Sequence, residues 1–428
     1  MSETRTLPEP DVSKSPQQLY AERSQRILAA IALKQPDRIP TFVTFGHLLA
    51  DLEGITRQEL YENPVAMQRA LENACVRFQP DAVVGMFGGH AMSRALGDRM
   101  TKWPGYGLEP NESYQYLEAE FMKVEDYEAF LADPADWAIR TYLPRVFSEL
   151  EPLRMLPPLG IANLGYYALG QYLPLLATPP FVRALQALTK GAEAQLEFVQ
   201  QSSACSERLV QLGFPIAPFF TGGHLSAPFD FIGDTLRGMR GVFSDMRRCP
   251  DKLLAAEEKV LPIMLEAALS ACRARHSQYM FVPLHRGSVG FISLPNFERF
   301  YWPQLKRMLL TIIEAGITPA VIWEGAWDQR LKYLQELPKG KTIGLFQNSD
   351  IFKVKQVLGD SMCIVGGMPV SLLAAGSREE VWQYSKRLCQ ELGPGGGFIM
   401  SADIGELEGC KPDLIHTWLE ATREFGVY

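Results

Sequence analysis

Four of the six histidines, His47, His90, His224 and His285, stand at or just beyond the end of a short apolar run. After later runs the same place is taken by acids and amides: Glu324 and Asp328, then Gln347, Asn348 and Asp350, then Asp403. Imidazoles facing carboxylates across one cavity can act as general acid and base. They can also hold Zn²⁺, which takes three protein ligands in catalytic sites and leaves a position for substrate. Against this stands the plainer alternative that each histidine only hydrogen-bonds the start of a loop. His276 and His416 fall in helical patterns and are read as structural. Glycine pairs at three run ends, Gly88 with Gly89, Gly222 with Gly223 and Gly366 with Gly367, lack side chains where a bulky cofactor would approach the backbone. The competing reading is an ordinary tight turn. Nearby aromatic and sulfur residues, Phe45, Met86, Phe87, Phe219, Phe220, Trp323, Trp327, Phe346 and Met368, would line a flat-walled pocket or else fill a core.

These groups meet only if the runs form one sheet. Eight runs rich in β-branched or aromatic residues recur, most followed by a helical pattern. They span 39–46, 81–88, 215–222, 279–285, 318–325, 341–347, 362–367 and 397–401. Repeated βα units without a linker between them predict a (β/α)8 TIM barrel, α/β in class, whose strand C-termini carry the chemistry. No glycine-rich dinucleotide fingerprint favours an open sheet. The long gap between the second and third runs predicts extra inserted helices, over 113–122, 124–131 and 180–201, with a Gly/Pro turn at 105–111. Further helices are expected over 230–243 and 250–274, the latter opened by Pro250 at its first position.

The chain has 428 residues, 47% hydrophobic and 21% charged, so it can bury a large core. A net charge of −7 without a basic stripe excludes a nucleic-acid partner. The most apolar stretch, 166–182, is broken by Gln171, Pro174, Pro179 and Pro180, which excludes a membrane span. Residues 1–20 are polar and proline-bearing and read as a flexible tail before a domain over 21–428. Seven scattered cysteines without a CxxC pair point to free thiols and a cytoplasmic location.

Arg26-Ile-Leu-Ala-Ala-Ile followed by Pro36-Asp-Arg-Ile-Pro40 resembles the opening of the uroporphyrinogen decarboxylase superfamily, which includes corrinoid-dependent methyltransferases. The resemblance continues through Trp103-Pro-Gly, Tyr114-Gln-Tyr, Met122-Lys-Val-Glu-Asp-Tyr127, Pro283-Leu-His-Arg-Gly287 and Phe300-Tyr-Trp-Pro303. It closes with Met362-Cys-Ile-Val-Gly-Gly-Met-Pro369 and Gly396-Gly-Phe-Ile-Met-Ser401. It implies the same barrel. The decarboxylases carry an arginine-rich first strand for the carboxylates of a tetrapyrrole, whereas this chain reads Thr41-Phe-Val-Thr-Phe-Gly-His47 there. Burying those carboxylates without cations is costly, so the methyltransferase-like branch is the closer one.

That branch implies a His-x-Cys-Gly zinc motif after the fifth strand, where this chain has Ile322-Trp-Glu-Gly325. An oxygen and nitrogen set of His285, Glu324 and Asp403 would replace the thiolates around zinc. The resemblance therefore implies methyl transfer from a small methoxylated or methylamine donor to a corrinoid (cobalamin) carried by a partner protein. His285 and Glu324 lead the catalytic set, with His224 and Asp328. Substrate would meet His47, His90, Arg286, Trp323, Trp327, Gln347 and Asn348, and the corrinoid would meet the glycine pairs. A homodimer is a further expected partnership. The other readings are a decarboxylase of uroporphyrinogen or a related acid, and a barrel that binds without catalysing.

Overall fold

The computed structural model describes residues 14–402 and 407–428. Among the described residues eleven strands are β1 (Thr41–Val43), β2 (Ala82–Val83), β3 (Thr101–Pro104), β4 (Gly107–Leu108), β5 (Gln115–Tyr116), β6 (Gly223–His224), β7 (Tyr279–Leu284), β8 (Thr318–Trp323), β9 (Ile343–Phe346), β10 (Cys363–Met368) and β11 (Phe398–Ala402). Eight of them form one curled sheet in the order β2-β1-β11-β10-β9-β8-β7-β6, every pairing parallel. The segment 215–224 binds both ends of this sheet. Its start bonds Val83 through Pro215 and Ala217, and its end, β6, lies beside β7. The fold is thus α/β, with a parallel sheet curled in the manner of a TIM barrel.

The strands read as continuous apolar runs because helices cover one side and packed side chains fill the other. Val282, Leu284, Val321 and Trp323 belong to one buried cluster, while Ile322, Leu345, Val365 and Ile399 belong to another. The helix Pro250–Ala274 begins at the expected proline and buries Leu253, Val260 and Leu261. Among the described residues no helix is long and apolar enough to cross a membrane.

Several local expectations are overturned. Residues 1–13 of the expected tail lie outside the described residues, but Pro16 already opens a helix, capped by Ser15 and Gln18. The segment 113–122 is not a helix. It holds β5, which pairs with β3 in a small three-stranded sheet together with β4. Its aromatic residues have the period-two spacing of a strand, Tyr114 and Tyr116, and this outweighs the helical propensity of the flanking glutamates. The segment 230–243 contains a π-helical turn, Ile232–Arg237, ahead of the helix Gly238–Arg248.

Candidate active site

Asp230 stands just before this π-turn and Asp234, four residues on, lies within it, and both reach the C-terminal end of β7. A π-turn adds one residue to the helical repeat, and such bulges often accompany functional positions. The fully buried carboxylate of Asp230 accepts the backbone N–H groups of His285 and Arg286, each at 3.0 Å, and the Tyr301 hydroxyl at 2.6 Å. These three bonds fix the turn that ends the strand. Asp234 divides its two oxygens, taking His285 Nδ1 at 2.5 Å on one and Arg286 Nη2 at 2.5 Å on the other. Arg286 also donates to Glu118 at 2.6 Å, which ties the small sheet to the end of β7. Gly233 permits this: a Cβ there would come within 2.7 Å of Arg286 Nε.

His285 Nε2 points the other way and lies 3.9 Å from Glu324 Oε1, just beyond β8. Gly325 turns the chain away after it at φ +74, with no room for a side chain against Ser288. These groups line a cavity of about 1050 Å³. Tyr114, Tyr116, Phe231, Phe291, Met239 and Met264 form apolar walls, and Glu118, Asp234, His285, Arg286 and Glu324 supply charge.

The electrostatics follow from this arrangement. Burial alone would lower the pKa of His285, but the hydrogen bond and charge of Asp234, with Asp230 and Glu324 adding, push it up to about 9. The imidazole is therefore a cation at neutral pH. Asp230 is raised to about 6 by burial and then by the charge of Asp234. Glu324 is raised too, by burial first, with His285 pulling against it. His224 lines the same cavity and stacks on Phe281 at 5.7 Å; burial and then the charge of His285 lower its pKa, so it is neutral. One cavity therefore holds a protonated and an unprotonated imidazole.

The sequence-expected residues divide by location. His285, Glu324, His224, Arg286, Gln347 and Asn348 share the cavity. His47 does not reach it: it is 1% exposed and held between Tyr61 Oη at 2.9 Å and Glu408 at 3.3 Å. His90, Gly88 and Gly89 line a separate recess of about 400 Å³ beside Phe198. Trp323 and Trp327 are fully buried and pack edge to face at 4.7 Å, so they are core and not a substrate wall. Asp328 accepts the Asp350 N–H at 3.0 Å and braces a loop outside the cavity lining.

Two of the three glycine pairs do not form an approach surface. A Cβ at Gly222 would meet the Tyr279 carbonyl at 1.7 Å, at Gly223 the Ala268 carbonyl at 2.3 Å, and at Gly366 the Phe346 carbonyl at 2.9 Å. Gly367 faces Leu388 at 3.2 Å. These glycines let the chain pack on itself. Asp403, the third expected metal ligand, lies outside the described residues. Among the described residues no group of three or more His, Cys, Asp or Glu side chains is placed to hold a metal ion.

Sequence reasoning passed over Asp230, Asp234, Tyr301 and Glu118. The spacing of Asp230 and Asp234 in a segment read as helical was the available signal, since residues four apart share one face. Glu118 carried no signal, because nothing local revealed the small sheet.

No curated protein matches the chain. Among solved structures a methyltransferase from Methanosarcina mazei is similar, with a TM-score of 0.59 and 14% identity over 94% of this chain and 98% of that one. At that identity the likeness concerns the fold. The model of the family described as uroporphyrinogen decarboxylase (URO-D) matches residues 162–425, which include β6 to β11 and every group around His285 except Glu118 and the two tyrosines of the small sheet. The chain belongs to the uroporphyrinogen decarboxylase family.

Proposed function

We propose that the protein is a methyltransferase that moves a methyl group from a small methoxylated or methylamine donor to a corrinoid presented by a partner protein. The observation that carries this reading is the His285–Asp234 pair on the wall of a largely apolar, aromatic-lined cavity. An ether is a poor methyl donor because an alkoxide or phenolate must leave. As the electron pair of the acceptor forms its bond to the methyl carbon, the C–O pair stays on oxygen and takes the proton from His285 Nε2. Asp234 keeps the imidazole oriented through Nδ1 and stabilises its charged form, as a positioned acid requires. Glu324 stands beside Nε2, and the tyrosines and phenylalanines would hold an aromatic donor edge or face on. A quaternary amine leaves without needing a proton, so the presence of an acid favours the ether.

A zinc version of the same chemistry rests on the bond between His285 Nδ1 and Asp234, the brace that metal-bound imidazoles usually have. His285 Nε2, Glu324 and Asp403 would hold the ion, and it would supply Lewis-acid stabilisation of the leaving oxygen. The two versions differ in whether a proton or a metal sits on Nε2.

Decarboxylation of uroporphyrinogen fits less well. The Arg286 guanidinium is already spent on Glu118 and Asp234, and the cavity carries three carboxylates of its own.

The test is incubation of the protein with cob(I)alamin and a panel of methoxybenzenes and methylamines, followed by absorbance of the methylated corrinoid. Methylation from a methoxybenzene that is abolished in His285→Gln is expected. Release of CO₂ from a porphyrinogen, with no methylation from any donor, would overturn the reading. Metal analysis of the wild type and of Glu324→Ala separates the versions: stoichiometric zinc lost in the variant supports the metal, and none in either supports the proton.

A further inference from the structure

The helix Pro179–Gln211 is 33 residues long and packs one side against the protein through Phe181, Ala184, Ala187, Gly191, Cys205 and Leu209. Its outer side carries a second stripe. Val182, Leu185, Thr189, Ala192, Leu196 and Val199 follow one another at spacings of three and four residues, and all six are exposed. Val182 is 39% exposed, Leu185 43%, Leu196 59% and Val199 48%. Alternating spacings of three and four mark the seam of a two-helix coiled coil, and a helix buried on one side has no internal need for a second such seam.

The stripe is its own mirror in sequence. Counted inward from both ends, valine matches valine, leucine matches leucine, and threonine matches alanine. A second helix laid antiparallel would therefore set Val182 against the partner's Val199, Leu185 against the partner's Leu196 and Thr189 against the partner's Ala192. This self-matching is what a two-fold interface demands, because residue i meets j and j meets i. The charges agree. One edge of the stripe carries Arg183 and Lys190 in its first half and Glu193 and Glu197 in its second, all exposed. Antiparallel pairing brings each cationic half beside the partner's anionic half, whereas parallel pairing brings like charges together. The charge-free run Met155–Val182 leads into the stripe, so no unpaired charge is buried at that end.

We infer that this outer face is a self-association surface, on which a second copy of the chain docks its own Pro179–Gln211 helix antiparallel across a two-fold axis near Lys190 and Gly191. The contact runs along about 25 Å of helix, from the rise per residue. The inference is independent of the reaction assigned above, since the stripe lies outside the cavity lining.

Sedimentation and light scattering of the full chain at micromolar concentration test it. The expected mass is twice the chain mass of 47.9 kDa, falling to the single-chain mass in Leu185→Asp/Leu196→Asp with an unchanged circular dichroism spectrum. A second pair of variants guards against misfolding. Arg183→Glu alone is expected to weaken the dimer by on the order of tenfold, and adding Glu197→Arg is expected to restore it. A wild-type monomer overturns the inference, as does a dimer that the Leu185→Asp/Leu196→Asp variant leaves intact. So does a monomer that pellets with phosphatidylcholine vesicles through this stripe.

Discussion

Asp81 and Asp230 are both fully buried aspartates at opposite ends of the same sheet, and their surroundings drive them in opposite directions. Asp81 directly precedes β2 and bonds the first residue of β1, accepting the Thr41 N–H at 2.9 Å. Arg38 grips both of its oxygens at 2.7 Å and Arg26 adds a bond at 3.1 Å. Burial would raise its pKa, yet the charge and hydrogen bonds of Arg38, with those of Arg26, hold it below the usual carboxylate range. Asp230 has neutral donors, a second carboxylate nearby and one imidazolium, and it rises to about 6. Two cations make a permanent anion that braces the N-terminal end of the strands. One imidazolium among several carboxylates leaves protons exchangeable at the C-terminal end, where barrels carry their chemistry.

The largest effect expected is at His285. His285→Gln should lower methyl transfer by on the order of 10²–10⁴-fold per folded molecule while leaving the circular dichroism spectrum unchanged, the range for loss of a positioned acid. Equal loss of activity and fold would erase the contrast between the two ends. Next comes Asp81→Asn, which strands two arginines against a neutral amide. Chemical denaturation should show a loss of about 3–5 kcal/mol, the cost of breaking a buried ion pair, with turnover per folded molecule preserved.

The third prediction concerns pH. An acid with its pKa near 9 gives activity that holds through neutrality and falls as pH rises through that value. Asp234→Asn removes the strongest support for the charge, so the alkaline limb of the rate profile should move toward the ordinary histidine value of 6.5. Stability follows the same sign. The folded pKa lies above the unfolded one, so the stabilising contribution is complete below about pH 6.5 and is lost as pH climbs through 9. Thermal melts of the wild type and Asp234→Asn should therefore differ more at pH 6 than at pH 10, where the bond from Arg286 to Asp234 still separates them. The smallest effect is at Tyr116, whose hydroxyl donates to the Asp234 carbonyl at 2.8 Å. Tyr116→Phe should cost at most about 1 kcal/mol of stability, one solvent-accessible hydrogen bond.

The sheet was legible because its signal is local: each strand is a short apolar run closed by a polar or glycine residue, and β7, β8 and β9 fall within the runs read from the sequence while β10 and β11 overrun theirs by one residue. His285 and Glu324 were legible for the same reason, as polar groups directly after β7 and β8. What escaped depends on contacts distant in sequence. Glu118 reaches Arg286 only because β5 pairs back on β3, and Asp234 reaches His285 only through a π-turn that shifts the helical face. The tryptophans misled because position after a strand does not say which way a ring points. Trp327 turns inward and bonds the Glu324 carbonyl at 2.9 Å. The pairs Gly222 with Gly223 and Gly366 with Gly367 misled likewise, since a missing side chain serves close packing as readily as ligand access.

The charge on His285 is open to direct measurement without any substrate. An NMR titration of its imidazole in the wild type and in Asp234→Asn should give a midpoint near 9 that falls in the variant. A wild-type midpoint at or below 6.5, unmoved by Asp234→Asn, would contradict the assignment of His285 as the acid.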